Sequence, residues 1–345
     1  MYKVGVCGHF GGEKNLLNGQ TVKTKLLTKE LRLALGTQDV NIVDTHGWKK
    51  NPFKLFLDCY FLIRNCENII ILPAQNGISV FVPLFLFLNK IYKRKLHYVV
   101  IGGWLPNLLS EKQKLKNQVS KLDGVYAETT SMIKSLQQIG LNNVQKLVNF
   151  KRLNILSKNE LCFSNGKPLK LCTFSRVMKE KGIEDAIKVV KNINTLRGEV
   201  KLTLDIYGQI EEDYKERFEE LQHSFPDYIS YKGSVDFDKS VEILKGYFVL
   251  LFPTHFKTEG IPGTIIDAYA AGIPVIASKW NSADEVITEG VTGHIYNFMH
   301  LSELELLLNS ALDAPENMEN MKENCLKKAE EFLPEKVIGD FIRNM

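Results

Sequence analysis

Short apolar runs and amphipathic stretches alternate along the whole chain, and this alternation leaves few folds open. Residues 4–7, 69–72, 98–101, 202–207, 248–252 and 274–277 have strand length. Residues 20–35, 183–192, 261–271 and 301–312 have helical length and spacing. Strands separated by helices form βαβ units, which predicts parallel sheets covered on both faces. At 345 residues the chain exceeds one ordinary core and suffices for two. Two doubly wound α/β domains in tandem are therefore expected. The polar, turn-rich stretch 157–168, followed by a fresh strand at 169–174, marks the boundary. Residues 1–155 make the first domain and 156–332 the second, while 333–345 carry a last helix expected to pack back on the first.

Composition removes several classes. With 44% hydrophobic and 24% charged residues and no low-complexity tract, the chain is globular rather than disordered. Its six cysteines (Cys7, Cys59, Cys66, Cys162, Cys172, Cys325) form no CxxC pair and no Cys/His cluster, so reduced core thiols are expected. Residues 1–7 read as a strand and not as a signal peptide. The longest largely apolar run, 78–88, contains Ser79 and Pro83 and falls well short of the roughly 20 residues of a bilayer span. A cytoplasmic protein is the expectation.

The net charge of +4 conceals an asymmetry: residues 1–150 hold 20 Lys and Arg against 9 Asp and Glu, and residues 151–345 hold 24 against 31. A basic half joined to an acidic half implies two domains with different partners. The run 78–88 is followed by Lys90, Lys93, Arg94 and Lys95, which makes either a buried helix with a solvated basic end or a lip that touches an anionic membrane surface. Nucleic acid fits poorly, because the basic residues are spread out with no aromatic platform among them.

Two segments carry chemistry. In the stretch 251–278 a strand enters a polar loop, and Glu259, Gly260, Ile261, Pro262 and Gly263 open a helix. Proline suits the first helical turn, glycine permits close approach of a ligand, and the free N–H groups of a helix start favour phosphate. Glu259 and Asp267 are eight residues apart, about 12 Å along a helix, which suits two ends of an extended ligand better than one scissile bond. The second segment follows the strand 169–174 and contains Arg176 and Lys181, whose cations could converge on a diphosphate. Asp236-Phe237-Asp238 has the spacing of a metal-binding pair, but Asp238 is placed to cap the helix that follows, so no metal site is expected.

Jointly these segments resemble the group 1 family of retaining glycosyltransferases with the GT-B fold, in which two Rossmann-like domains face each other across a cleft. Ser175-Arg176, then Lys181-Gly182, are similar to the family's Gly-Arg…Lys-Gly loop, with Ser for its first Gly. Glu259 and Asp267 are similar to its Glu-x7-Glu motif, with Asp for the second Glu, and residues 268–277 and 284–293 continue the likeness. In the first half, Asn18-Gly19-Gln20-Thr21 resembles the family's Gly-rich loop near the donor phosphates. The family's histidine after a later strand is missing, since that stretch reads Val100-Ile101-Gly102-Gly103-Trp104. His9, His46 and His97 are expected to be structural or surface residues.

The resemblance implies a nucleotide-diphosphate sugar, UDP-sugar ahead of GDP-sugar, as donor on the second domain. It also implies retaining, metal-independent transfer without a cofactor to a glycan or lipid-linked acceptor on the first domain, as in surface polysaccharide synthesis. Arg176, Lys181 and Glu259 would be catalytic. Gly19, Gln20, Gly208, Val235, Gly260, Ile261, Pro262, Gly263 and Asp267 would bind the donor, Asp267 through the ribose hydroxyls. The rival readings are a nucleotide-sugar epimerase on the same fold and a non-catalytic sugar-nucleotide sensor.

Overall fold

The computed structural model describes residues 1–12, 19–164, 166, 168–236 and 238–345. The chain divides into two compact units, the first made of Met1–Asn149 with Pro334–Met345, the second of Phe150–Leu333.

Unit 1 runs β1 (Tyr2–Gly8), α1 (Gly19–Leu35), β2 (Val40–Asp44), α2 (Pro52–Asn65), β3 (Cys66–Ile71), α3 (Gln75–Tyr92), β4 (Lys95–Val99), α4 (Leu105–Glu111), α5 (Gln113–Val119), β5 (Gly124–Ala127), α6 (Thr130–Gln138) and β6 (Val144–Lys146). Its six strands are all parallel, in the order β2-β1-β3-β4-β5-β6. Strand β3 shows why the sheet is covered on both faces: Ile69, Ile70 and Ile71 are successive residues, so they point alternately up and down, and all three are buried. Local chemistry fixes the helix starts. Asn51 caps α2 by accepting the Lys54 N–H (3.1 Å) ahead of Pro52, and Thr129 caps α6 by accepting the Met132 N–H (3.2 Å).

Unit 2 runs β7 (Leu169–Phe174), α7 (Ile183–Arg197), β8 (Leu202–Tyr207), α8 (Lys215–His223), β9 (Ile229–Gly233), α9 (Ser240–Leu244), β10 (Val249–Phe252), α10 (Gly263–Ala270), β11 (Val275–Ser278), α11 (Ala283–Val286), β12 (Gly293–Tyr296), α12 (Leu301–Asp313), α13 (Pro315–Glu319) and α14 (Lys322–Ala329). Its sheet is again six parallel strands, ordered β12-β11-β10-β7-β8-β9. The chain then returns to unit 1 with α15 (Pro334–Arg343), whose Phe341 ring packs edge-on to Tyr126 at 4.6 Å. Each unit has its own apolar core.

One cap differs from expectation. Helix α9 begins at Ser240 with Lys239 at the cap position and no side-chain cap bond, so Asp238 does not cap it. The Lys239 N–H instead closes a turn on the Asp236 carbonyl (3.0 Å), which leaves Asp238 inside the turn; Phe237 lies outside the described residues. The six cysteines are free, and five are buried. Among the described residues no helix is long and apolar enough to cross a membrane.

Candidate functional site

A doubly wound sheet opens a crevice at the carboxyl ends of the strands where the order reverses. In unit 2 that point lies between β7 and β10, the two strands whose following loops carry the candidate residues. After β7 the chain passes Ser175 and Arg176, makes a tight turn at Lys179–Lys181, and enters α7 through Gly182. Gly182 is left-handed (φ 67°), and a Cβ there would come within 1.9 Å of the Pro253 carbonyl oxygen. The loop after β7 therefore lies directly on the loop after β10, a closeness that only glycine allows.

Three further ties hold the two loops. The His255 N–H donates to the Glu180 carbonyl (2.7 Å), the His255 ring meets Asp185 on the first turn of α7 (Nε2 to Oδ2, 2.6 Å), and the Lys181 ammonium pairs with the Glu259 carboxylate. The same Glu259 oxygen accepts the Thr254 hydroxyl (3.0 Å), and the Thr254 carbonyl accepts the Ser278 hydroxyl (2.5 Å). The Lys181 ammonium also lies 5.2 Å from the ring centroids of both Phe252 and Phe256, a cation–π setting. With side chains 12% and 16% exposed, the pair is mostly shielded but reachable. A cation and a carboxylate fixed side by side at a strand edge can meet an anionic group and a hydroxyl of one ligand.

The neighbouring residues divide. Gly260 and Ile261 are buried, Pro262 takes the cap position of α10, and Gly263 opens that helix with no atom within 4 Å of where a Cβ would be. Gly208 follows β8 at φ 135°, where a Cβ would come within 1.7 Å of the Ser175 carbonyl oxygen. It thus sets the path of the Arg176 loop through its backbone. Arg176 itself is not brought onto the Lys181–Glu259 pair. It is half exposed and pairs with Glu211 (2.5 Å). Val235 is half-buried in the segment after β9.

Asp267 is engaged with a residue far away in sequence. Four residues into α10, it is buried, and both carboxylate oxygens accept from the Lys151 ammonium (2.5 and 2.7 Å), with Ser240 adding a hydrogen bond. Burial pushes its carboxyl above the ordinary range, and the adjacent ammonium opposes that rise. The short side chain is held inside the unit as an ion pair with Lys151. Lys151 is 116 residues away in sequence and carried no signal of this role. Thr254 and His255 were also missed, although their position between a strand end and Glu259 marks them. A cavity of about 380 Å³ lined by Pro168, Lys170 and Phe248 lies at the opposite, amino ends of β7 and β10, and none of the candidate residues lines it.

In unit 1 the corresponding reversal lies between β1 and β3. Asn18 lies outside the described residues; Gly19 and Gln20 open α1. Beside them is a cluster the sequence did not reveal. Asp44, at the end of β2, accepts the backbone N–H groups of Phe10 (2.8 Å), Gly12 (2.9 Å) and His46 (2.8 Å). The His46 and His9 rings meet at 3.1 Å, and His9 Nδ1 lies 2.8 Å from the Thr21 hydroxyl. Burial and His46 lower the His9 pKa. His97 is structural: buried in β4, with a pKa lowered to about 4.

Residues 160–328, which contain the Lys181–Glu259 pair and the loops that hold it, match the family of glycosyl transferases group 1. This chain carries a group 1 glycosyltransferase domain. An uncharacterized glycosyltransferase of Methanocaldococcus jannaschii is 31% identical over 129 residues, 36% of this chain and 31% of that protein. The UDP-N-acetylglucosamine–peptide N-acetylglucosaminyltransferase GtfA subunit of Streptococcus gordonii is 26% identical over 259 residues, 72% of this chain and 48% of that protein. The chain thus spans less than half the length of these curated relatives. Among solved structures, Anabaena HepE in complex with UDP has the same GT-B fold, with a TM-score of 0.76, 15% identity and full coverage of both chains.

Proposed function

We propose that the chain is a retaining glycosyltransferase that moves a sugar from a UDP-sugar to a glycan or lipid-linked acceptor, in the assembly of a surface polysaccharide at the cytoplasmic face of a membrane. The observation that carries the reading is the shielded Lys181–Glu259 pair at the switch point of unit 2, with Gly263 open at the start of α10. When the sugar leaves, negative charge accumulates on the diphosphate. Lys181 and the free N–H groups of α10 would stabilise that charge, with Arg176 released from Glu211 to join them. Glu259 would hold sugar hydroxyls. Among the described residues Asp267 pairs with Lys151 and Asp185 with the His255 ring, so neither is placed as a nucleophile in this reading and the departing phosphate oxygen would take the acceptor's proton on the same face. HepE was solved with UDP, and the GtfA relative is named for a UDP-sugar; both favour uridine as the base.

A thermal-shift series tests this. UDP and UDP-sugars should raise the melting temperature by mass action, above any rise with GDP or ADP. Transfer from radiolabelled UDP-sugar should give a product with the donor's anomeric configuration. No nucleoside diphosphate raising the midpoint, or release of an isomerised free sugar without an acceptor, contradicts the reading.

A further inference from the structure

Helices α2 and α3 are apolar on two faces, and only one face of each is buried. Leu55, Cys59, Leu62 and Ile63 of α2, and Ile78, Phe81, Phe85 and Leu88 of α3, enter the core of unit 1. On its other side α2 exposes Phe53 (73%), Phe56, Leu57 and Phe61. Helix α3 exposes Val80, Phe87 (60%) and Ile91 (71%) at positions 0, 7 and 11, one stripe of a helix, with half-buried Leu84 at position 4 between them. Of the seventeen large apolar side chains exposed among the described residues, seven thus fall on two neighbouring helices. The helices pack side by side, joined by the Tyr60 and Tyr92 rings 5.8 Å apart. Apolar stripes left exposed on two helices that pack together indicate something that covers them.

Charge indicates what. Residues 49–95 hold eight basic side chains and two acidic ones, Asp58 and Glu67. Lys49, Lys50 and Lys54 stand at the start of α2, and Lys90 and Lys93 at the end of α3, with the Lys90 ammonium 6.0 Å from the Phe87 ring. An apolar face flanked by cations suits a bilayer interface, where acyl chains take the rings and anionic headgroups take the lysines. We propose that the α2–α3 face docks unit 1 on an anionic membrane surface, lying on the bilayer without crossing it. This bears on the lipid-linked acceptor proposed above, but it stands on α2 and α3 alone and survives if the transfer reading fails.

Vesicle co-sedimentation tests it with the full chain. Phosphatidylcholine vesicles containing phosphatidylglycerol should carry down the wild type, pure phosphatidylcholine should carry down little, and binding should fall as salt rises. The Phe87→Ser/Ile91→Ser variant and the Lys90→Glu/Lys93→Glu variant should each lose tenfold or more in partitioning. These are surface positions, so unchanged circular dichroism and UDP-induced thermal shift verify the fold. Equal sedimentation of wild type with both vesicle types, or variants that bind like wild type, would overturn the proposal. So would a wild-type dimer in the absence of lipid that Phe87→Ser/Ile91→Ser converts to monomer, because a second copy would then cover the face.

Discussion

Lys181 and Glu259 form a shielded pair that, in the proposed function, would serve stability and chemistry at once, and substitutions can separate the two. Lys181→Met leaves a shielded carboxylate with the Thr254 hydroxyl as its remaining contact at this pair, a situation that should cost about 2 kcal/mol. Adding Glu259→Gln removes the unpaired charge and should recover most of that stability. Turnover should fall by about 10²-fold or more in Lys181→Met and stay low in the double variant, the scale of losing one transition-state donor. Denaturation midpoints and steady-state rates check both, and a double variant that regains turnover would make the pair merely structural. Because Lys181 and helix N–H groups carry the diphosphate charge in this account, turnover should persist in EDTA; loss that Mg²⁺ restores would contradict it. His97 gives a pH-dependent prediction. Its Nε2–H donates to Asn68 Oδ1 (3.3 Å), and its Nδ1 is buried without a partner, so the folded protein keeps the ring neutral down to about pH 4 against an ordinary 6.5. Between those values the unfolded chain takes up a proton that the folded chain refuses. Stability present above pH 6.5 is therefore lost as pH falls toward 4, by about 3 kcal/mol in all. His97→Gln should lose less stability than wild type between pH 7 and pH 4.5 in urea titrations, and identical pH dependence would contradict this assignment.

Elements rather than single residues set the shape of the edge where β7 and β10 end, and glycines distinguish packing from open space. Gly182 and Gly208 are both left-handed, and each would drive a Cβ into backbone carbonyl oxygen, of Pro253 and Ser175 respectively. Ala at either position should cost about 2–4 kcal/mol, because backbone must shift as well as twist. Gly263 meets nothing within 4 Å. Gly263→Ala should leave the melting temperature within about a degree of wild type, near-neutral as an open surface change, while weakening UDP binding severalfold by crowding the start of α10. Calorimetric titration of UDP checks this, and unchanged affinity would show that the ligand does not approach there. The alternation of strands and helices was legible at this scale because a parallel strand buried on both faces, such as β3, needs an unbroken apolar run. The cap of α9 was not: an aspartate two residues ahead of a short helix reads as a cap, yet a turn closed by Lys239 on Asp236 placed it otherwise.

Across the molecule, what could be read in the sequence follows from how local each contact is. Glu259, Gly263 and the Arg176–Lys181 loop announce themselves because a strand end and a helix start adjoin them in sequence. The Lys151–Asp267 pair could not be read, since its partners are 116 residues apart and its meaning lies in burial. The His9–His46–Asp44 cluster joins residues from two strand ends in the same hidden way. The charge contrast between the two halves was plain from counting, but the α2–α3 face needed the fold to show that two apolar helices leave the same kind of stripe uncovered. The proposed nucleoside diphosphate site lies where β7 and β10 end. Hydrogen exchange of the intact protein with and without saturating UDP measures this directly. Added protection is expected in peptides covering residues 175–182 and 254–266, with little change around residues 162–170 and 246–248 at the opposite ends of the strands. Protection confined to that opposite edge, or absent from both loops at saturation, would contradict it.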